Sequence, residues 1–188
     1  MAEKATHDQQ THPISVAEYL ACELASPVKH EYVHGDIYAF AGTTECHNLI
    51  AGNIFASLHF KARGSQCRVL FGDVRLQAAP DLYYYPDVMV VCENTDDDSL
   101  TKRRPCLIVE VISPSTSRID RHEKRLAYQA IASVQTYMIV DTATHRVTRH
   151  WRDGSNDWQQ MEVIGEGDVA IPCPEATLTL ADIYDGIS

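Results

Sequence analysis

Apolar residues recur along the chain at spacings typical of helices, with polar residues between them. The S-x-x-E spacing that begins at Ser15 precedes apolar residues at helical intervals and predicts a capped helix over about 15–25. A longer helical stripe, which Gly64 ends, predicts a second helix from Glu45 to about Ala62. The same pattern predicts a third helix over about 118–132 and a short terminal helix over 178–187.

Shorter apolar runs between these helices predict strands. A turn at His34-Gly35 joins two of them into a hairpin over 30–40, and a C-terminal hairpin spans 145–164. Further strands are predicted at 67–71, 74–77, 83–91, 106–112 and 136–141. This order indicates one α/β domain with a mixed central sheet over 15–188, after a tail over 1–14 that we expect to be disordered.

Two of the predicted strands each contain one acidic residue among apolar neighbours. Asp87 lies in the 83–91 run and Glu110 in the 106–112 run. A buried carboxylate is costly unless a cation, a metal or several donors compensate it. If the two strands are neighbours in register, the two acids share one face, and such a pair implies a shared proton or a divalent cation. Mg²⁺ suits such a pair because carboxylate oxygens are its usual protein ligands.

A cationic partner for these acids is expected on the helix that follows them. Lys124 lies roughly 10 Å along that helix, and helical side chains tilt back toward the N-terminus. Lys124 therefore reaches the end of the Glu110 strand if the helix packs there. The alternative is a solvated lysine paired with Asp120 four residues earlier.

Charge and cysteine content limit the partners and the cellular compartment that we expect for the protein. The formal net charge is -10, so binding to nucleic acid phosphates requires a local basic region. The region from 102 to 125 is the candidate, and it contains Lys102, Arg103, Arg104, Arg118, Arg121 and Arg125. The six cysteines show no C-x-x-C pair and no zinc-ligand spacing, so we expect reduced thiols and a cytoplasmic protein. No secretory signal or membrane-spanning run is visible.

The order and spacing of several motifs resemble one known family. They are SVAEYL, HEYVHGDIYAFAG leading into HNLIAGNI, GDVRL, YPDVMVV, IVEVISPSTSRIDRHEKRLAYQAI, QTYMIVD and LADIYDGI. Pro86-Asp87 and Glu110-Val111-Ile112 resemble the signature of the PD-(D/E)XK nuclease superfamily, and the whole set resembles its Uma-type restriction endonuclease family. This resemblance runs from about Ser15 to the C-terminus. It implies a restriction-endonuclease-like αβββαβ core, preceded by a helix and hairpin and followed by a β-hairpin.

The resemblance also implies roles for individual residues. Asp87 and Glu110 are the expected ligands of Mg²⁺ or Mn²⁺, and Lys124 is the expected replacement for the lysine that the superfamily pattern places at Ile112. Glu31 is implied as an auxiliary acid and His47 as a further site residue. From spacing alone, Glu31 is equally a solvated strand residue and His47 a surface or capping histidine.

These residues lead to competing functional hypotheses. The first is a metal-dependent endonuclease that hydrolyses DNA, acting as a homodimer if both strands of a duplex are cut. The second is a non-catalytic module, binding nucleic acid or protein on a nuclease-like fold. In the third, the acids serve only structural ion pairs with Lys124 or Arg125.

Overall fold

The computed structural model describes residues 13–39, 43–112 and 118–187, with side chains in the third helix from residue 122 onward. The predicted disordered tail lies outside these residues, except for Pro13 and Ile14. The helices are α1 Val16–Ala25, α2 Glu45–Ala62, α3 Arg118–Ala130 and α4 Leu180–Ile183. The strands are β1 His30–Val33, β2 Asp36–Ala39, β3 Arg68–Phe71, β4 Arg75–Ala79, β5 Leu82–Tyr84, β6 Val88–Val91, β7 Thr101–Lys102, β8 Leu107–Ile112, β9 Thr136–Asp141, β10 Arg146–Arg152, β11 Trp158–Ile164, β12 Asp168–Pro172 and β13 Glu175–Thr179.

The central sheet has six strands in the order β11-β10-β9-β8-β6-β3. The β8–β9 pair is parallel, with α3 in the connection, and the other pairs are antiparallel. A sheet that contains one parallel pair among antiparallel ones is mixed, which confirms the predicted fold class. A parallel neighbour needs a crossover connection, and α3 supplies it.

The two middle strands of this sheet are buried on both faces. Val88 and Val109 pack on the side of α2, in a cluster with Ile54. Met89 and Ile108 pack on the opposite side. Burial on both faces explains why β6 and β8 appear in the sequence as continuous apolar runs without alternation.

The predicted strand over 83–91 is wrong as a single element. It consists of β5, in a second sheet of order β2-β1-β5-β4-β7, and β6, in the central sheet. The residues between them are Tyr85, Pro86 and Asp87. Pro86 has no N–H to give to a ladder, so pairing stops there and the chain passes from one sheet to the other.

The C-terminal region also differs from expectation. The hairpin over 145–164 is present as β10 and β11, but a further hairpin follows it, formed by β12 and β13. The terminal helix is shorter than predicted and begins after Thr179, whose side chain accepts a hydrogen bond from the backbone N–H of Asp182 at 2.9 Å.

The expectation of reduced cysteines is wrong for four of the six residues. Disulfide bonds join Cys67 to Cys92 and Cys106 to Cys173. Cys22 and Cys46 are free thiols. Among the described residues, no helix is long and apolar enough to cross a membrane.

Candidate active site

Asp87 and Glu110 lie at one end of the central sheet. The antiparallel register of β6 and β8 pairs Val88 with Val109, so one further step places Asp87 opposite Glu110. Asp87 precedes β6 rather than lying within it, and its Oδ2 accepts a hydrogen bond from the backbone N–H of Val111 at 2.7 Å. Asp87 is therefore a strand-end acid whose carboxylate is held by a backbone amide.

Glu110 is buried, and its Oε1 accepts a hydrogen bond from the hydroxyl of Tyr128 at 2.6 Å. Burial raises the pKa of Glu110 to about 8, against the lowering effect of the Lys124 charge. The negative charges of Asp87 and Glu31 raise this pKa further, and the hydrogen bond from Tyr128 lowers it. Burial and the neighbouring acids therefore favour the neutral form of Glu110.

Lys124 bridges two of the acids. Its Nζ lies 2.7 Å from Oε1 of Glu31 and 3.7 Å from Oε1 of Glu110. It also lies 5.3 Å from the centroid of the Tyr84 ring, within the distance of a cation–π contact. The reach expected for a lysine two turns into the helix is thus observed.

Glu31 reaches the site from the second sheet. Its strand β1 pairs with β5, and the chain that leaves β5 continues into Asp87. The backbone N–H of Tyr85 donates to Oε1 of Glu31 at 3.4 Å, the same oxygen that faces Lys124. The junction between the two sheets therefore brings acids from distant parts of the chain together.

His47 contacts Asp87 from the first turn of α2. Its Nε2 lies 3.2 Å from Oδ2 of Asp87. Burial lowers the pKa of His47, but the hydrogen bond with Asp87 and the negative charges of Asp87 and Glu110 outweigh it, so the pKa is raised overall. The backbone N–H of His47 donates to the Thr44 side chain at 3.3 Å, which fixes the start of the helix.

A cleft opens on the outer side of Asp87 and His47. Lys29, Gly72 and Asp73 contribute to its lining. Asp73 is exposed there. The cleft gives solvent access to Asp87.

The candidate basic region is organised differently from expectation. Lys102 is only 4% exposed, and its Nζ donates to the backbone carbonyls of Asp96 and Asp98, so the predicted phosphate contact by Lys102 is wrong. Arg103 is bonded to the Gln77 side chain at 2.7 Å. Arg104 pairs with Glu93 in the preceding acidic loop at 2.5 Å.

Of the three arginines on α3 in the candidate basic region, only Arg125 has a described side chain. One Nη of Arg125 lies 3.1 Å from Nδ1 of His122, and its Nε is buried without a hydrogen-bond partner. The side chains of Arg118 and Arg121 lie outside the described residues.

Two contributors to the site were not found from the sequence. Tyr128 follows Lys124 by four residues on α3, a spacing that places both side chains on one helical face and was available as a signal. Lys29 precedes β1 in an irregular segment, and no periodic pattern there indicated its position beside the cleft.

The donor set fits a hard divalent cation. Glu31, Asp87 and Glu110 supply carboxylate oxygens, the ligands that Mg²⁺ and Mn²⁺ prefer. Burial, together with the negative charges of Asp87 and Glu31, raises the pKa of Glu110 despite the nearby Lys124. A cation bound there lowers the electrostatic cost of ionising all three acids.

Comparison with known families agrees with this geometry. The model of the family Uma2, described as "Putative restriction endonuclease", matches residues 16–181. The chain belongs to the Uma2 family. The match spans every element that contributes to the acidic site, and it confirms the resemblance seen in the motifs.

Relatives and a solved structure extend the comparison. An uncharacterized protein of Synechocystis sp. is 32% identical over 157 residues, covering 81% of this chain and 89% of that protein. A second uncharacterized Synechocystis protein is 32% identical over 147 residues, 77% of each chain. A crystal structure described as a putative nuclease from Anabaena variabilis superposes with a TM-score of 0.72 at 17% identity, covering 92% of this chain and 98% of that one. This likeness shows a shared fold, and with membership of the Uma2 family it supports a nuclease-like function.

Proposed function

We propose that the protein is an endonuclease that hydrolyses phosphodiester bonds of DNA with the help of Mg²⁺ or Mn²⁺. The observation that carries this proposal is the convergence of three acids from separate strands or strand ends. Glu31 and Glu110 face the Nζ of Lys124, and Asp87 lies opposite Glu110 across the β6–β8 register. Ion pairing with Lys124 and His47 alone would need only two acids. Three acids beside a solvent-accessible cleft are better explained by a cation-binding role.

Asp87 and Glu110 would hold the cation, with Glu31 as an auxiliary acid. When bound, the cation supplies a Lewis acid for the phosphoryl oxygen and lowers the pKa of a coordinated water. A bound cation would favour the ionised form of Glu110, whose pKa burial raises to about 8 despite the lowering effect of the Lys124 charge. Tyr128 holds the Glu110 carboxylate in place through its hydroxyl.

Lys124 and His47 would hold the acids in position and balance part of their negative charge. Lys124 places a positive charge between Glu31 and Glu110, where it neutralises charge that develops on phosphate oxygens. His47 and the backbone N–H of Val111 both contact Oδ2 of Asp87, which orients that carboxylate. The cleft beside Asp87 gives the phosphodiester access, and Lys29 adds a cationic side chain to its lining.

A plasmid-nicking assay tests the proposal. Purified protein with Mn²⁺ should convert supercoiled plasmid to nicked or linear DNA, and Asp87→Asn should remove that activity while calorimetry shows loss of Mn²⁺ binding. Asp97→Asn, which makes the same change on the exposed acidic loop, is the matched control and should cut like the wild type. Circular dichroism checks that each variant is folded.

The results separate the competing functions. Cleavage that persists in Asp87→Asn would contradict the assignment of the catalytic site to Asp87 and its neighbours. A folded wild type that neither cuts DNA nor binds Mn²⁺ identifies a non-catalytic module on a nuclease-like fold.

A further inference from the structure

Four cysteines from separate segments meet at the other end of the central sheet. Cys67 immediately precedes β3, Cys92 follows β6, Cys106 precedes β8, and Cys173 lies in the turn of the β12–β13 hairpin. The disulfides join Cys67 to Cys92 and Cys106 to Cys173. The Cys92 sulfur also lies 3.1 Å from that of Cys173 and 3.6 Å from that of Cys106. The two disulfides therefore form one four-sulfur cluster.

This cluster is separate from the acidic site. Cys92 follows Asp87 by the length of β6, and at about 3.3 Å per residue the two lie roughly 16 Å apart. Cys106 is likewise at the opposite end of β8 from Glu110. None of the four sulfurs has a part in the proposed hydrolysis.

We propose that the reduced protein binds one thiophilic divalent cation of the Zn²⁺ class through these four cysteines. A tetrahedral tetrathiolate with Zn–S bonds of about 2.3 Å places its sulfurs roughly 3.8 Å apart. The Cys67 and Cys92 Cα atoms are 3.9 Å apart, and those of Cys106 and Cys173 are 6.1 Å apart. Both separations let the two sulfurs of a pair reach that spacing by side-chain rotation, with the strands and the hairpin left in place.

The surroundings of the cluster suit a structural metal. Cys106 is buried, while Cys67, Cys92 and Cys173 are partly buried against the main core. This burial limits the access of competing water ligands. A cleft that Cys92, Cys106 and Cys173 help to line gives the ion a path to the sulfurs.

The chemistry of loading is a reduction followed by ligand exchange. Each disulfide takes up two electrons and two protons and becomes two thiols. A dithiol supplies both and is oxidised to a disulfide, whereas a phosphine supplies the electrons and is oxidised to a phosphine oxide by taking the oxygen of a water molecule, whose two protons go to the thiols. On binding, each thiol that becomes a ligand loses its proton to the buffer, so one cation displaces up to four protons. The bound ion then ties the β12–β13 hairpin to the ends of β3, β6 and β8, the connection that the disulfides make in the oxidised chain.

Cobalt binding tests this site directly. The full chain is purified anaerobically with a phosphine reductant, freed of metal and titrated with Co²⁺. We expect one thiolate-bound Co²⁺ per chain, with sulfur-to-cobalt charge-transfer absorption, the strong visible bands of tetrahedral cobalt, and loss of both when Zn²⁺ is added. The Asp87→Asn/Glu110→Gln variant should give the same spectrum, which separates this site from the acidic one.

Single-cysteine variants complete the test. Cys92→Ser should lose the bands, while Cys22→Ser, which changes an exposed free thiol, should keep them. Cys173→Ser, in a hairpin turn at the edge of the cluster, serves if Cys92→Ser does not fold. The proposal is overturned if the folded, fully reduced wild type shows no tetrathiolate bands, or if both cluster variants bind like the wild type. It is also overturned if the folded chain keeps only its two free thiols in the presence of the reductant.

Discussion

Replacing Glu110 by glutamine should make the protein more stable at alkaline pH. Glutamine has the shape of glutamic acid and keeps an oxygen that accepts the hydrogen bond from Tyr128, but it has no charge to bury. Below the ordinary carboxyl pKa, wild type and variant both carry a neutral side chain at this position, so their free energies of unfolding should be similar. The two should diverge as the pH rises.

The size of the divergence follows from the pKa of Glu110. In the unfolded chain the group titrates near its ordinary value of 4.5, and in the folded protein at about 8. Between these values the folded state holds a proton that the unfolded chain has lost, so the free energy of unfolding falls by about 1.36 kcal/mol per pH unit. From pH 5 to pH 8 the wild type should lose about 3–4 kcal/mol relative to Glu110→Gln, because the full slope applies only between the two pKa values.

Urea unfolding in EDTA, followed by the fluorescence of Trp151 and Trp158, measures this difference at each pH. Groups that titrate in both proteins, such as His47, contribute to both curves and largely cancel in the difference. Glu175→Gln, on an exposed strand position, is the control and should track the wild type at every pH. A difference between Glu110→Gln and wild type that is constant with pH, or that shrinks as the pH rises, would refute the reasoning.

Three further predictions concern the partners of the acids. Tyr128→Phe removes a buried hydrogen bond to Glu110 and should cost about 1–3 kcal/mol in urea unfolding; an unchanged midpoint would contradict this. In His47→Gln the hydrogen bond to Asp87 can persist without the charge. Because the folded pKa of His47 is raised, the charged pair stabilises below the unfolded pKa and is lost as the pH rises, so the variant should be destabilised more at pH 5.5 than at pH 8.5. Lys124→Met removes the cation 3.7 Å from Glu110, so the pKa of Glu110 should rise further, visible as a ¹³C-carboxyl titration displaced to higher pH; an unmoved or downward-shifted curve would contradict it.

Local patterns determined most of the elements. The apolar stripe of α2, ended by Gly64 at a positive φ of 81°, predicted its bounds correctly, and the run at β9 did the same. Patterns of this kind involve residues only a few positions apart, so they can be recognised without knowledge of the tertiary structure. The sequence shows Pro86, but it does not show that β5 and β6 belong to different sheets. That division depends on pairing partners far along the chain, β1 for β5 and β8 for β6.

The residues of the candidate site also differ in how far local sequence patterns predict them. Asp87 and Glu110 are conspicuous in the sequence because each interrupts an apolar run, and Lys124 follows from helix geometry. Glu31 and His47 have no such signature, and only the resemblance to a family implied them. The structure brings them in because β1 pairs with β5 and α2 packs across the central sheet.

The sequence by itself determined a mixed α/β fold and two acids, Asp87 and Glu110, that interrupt apolar strands. Both can be predicted from a few neighbouring residues, through the alternation of side chains and the free-energy cost of burying a charge. Tertiary structure decided which other groups meet these acids. It placed Lys102 against backbone carbonyls instead of solvent, and it gathered cysteines separated by 25 and 67 positions into one cluster. Contacts between distant segments depend on how sheets and helices pack, and spacing along the chain does not encode that packing directly.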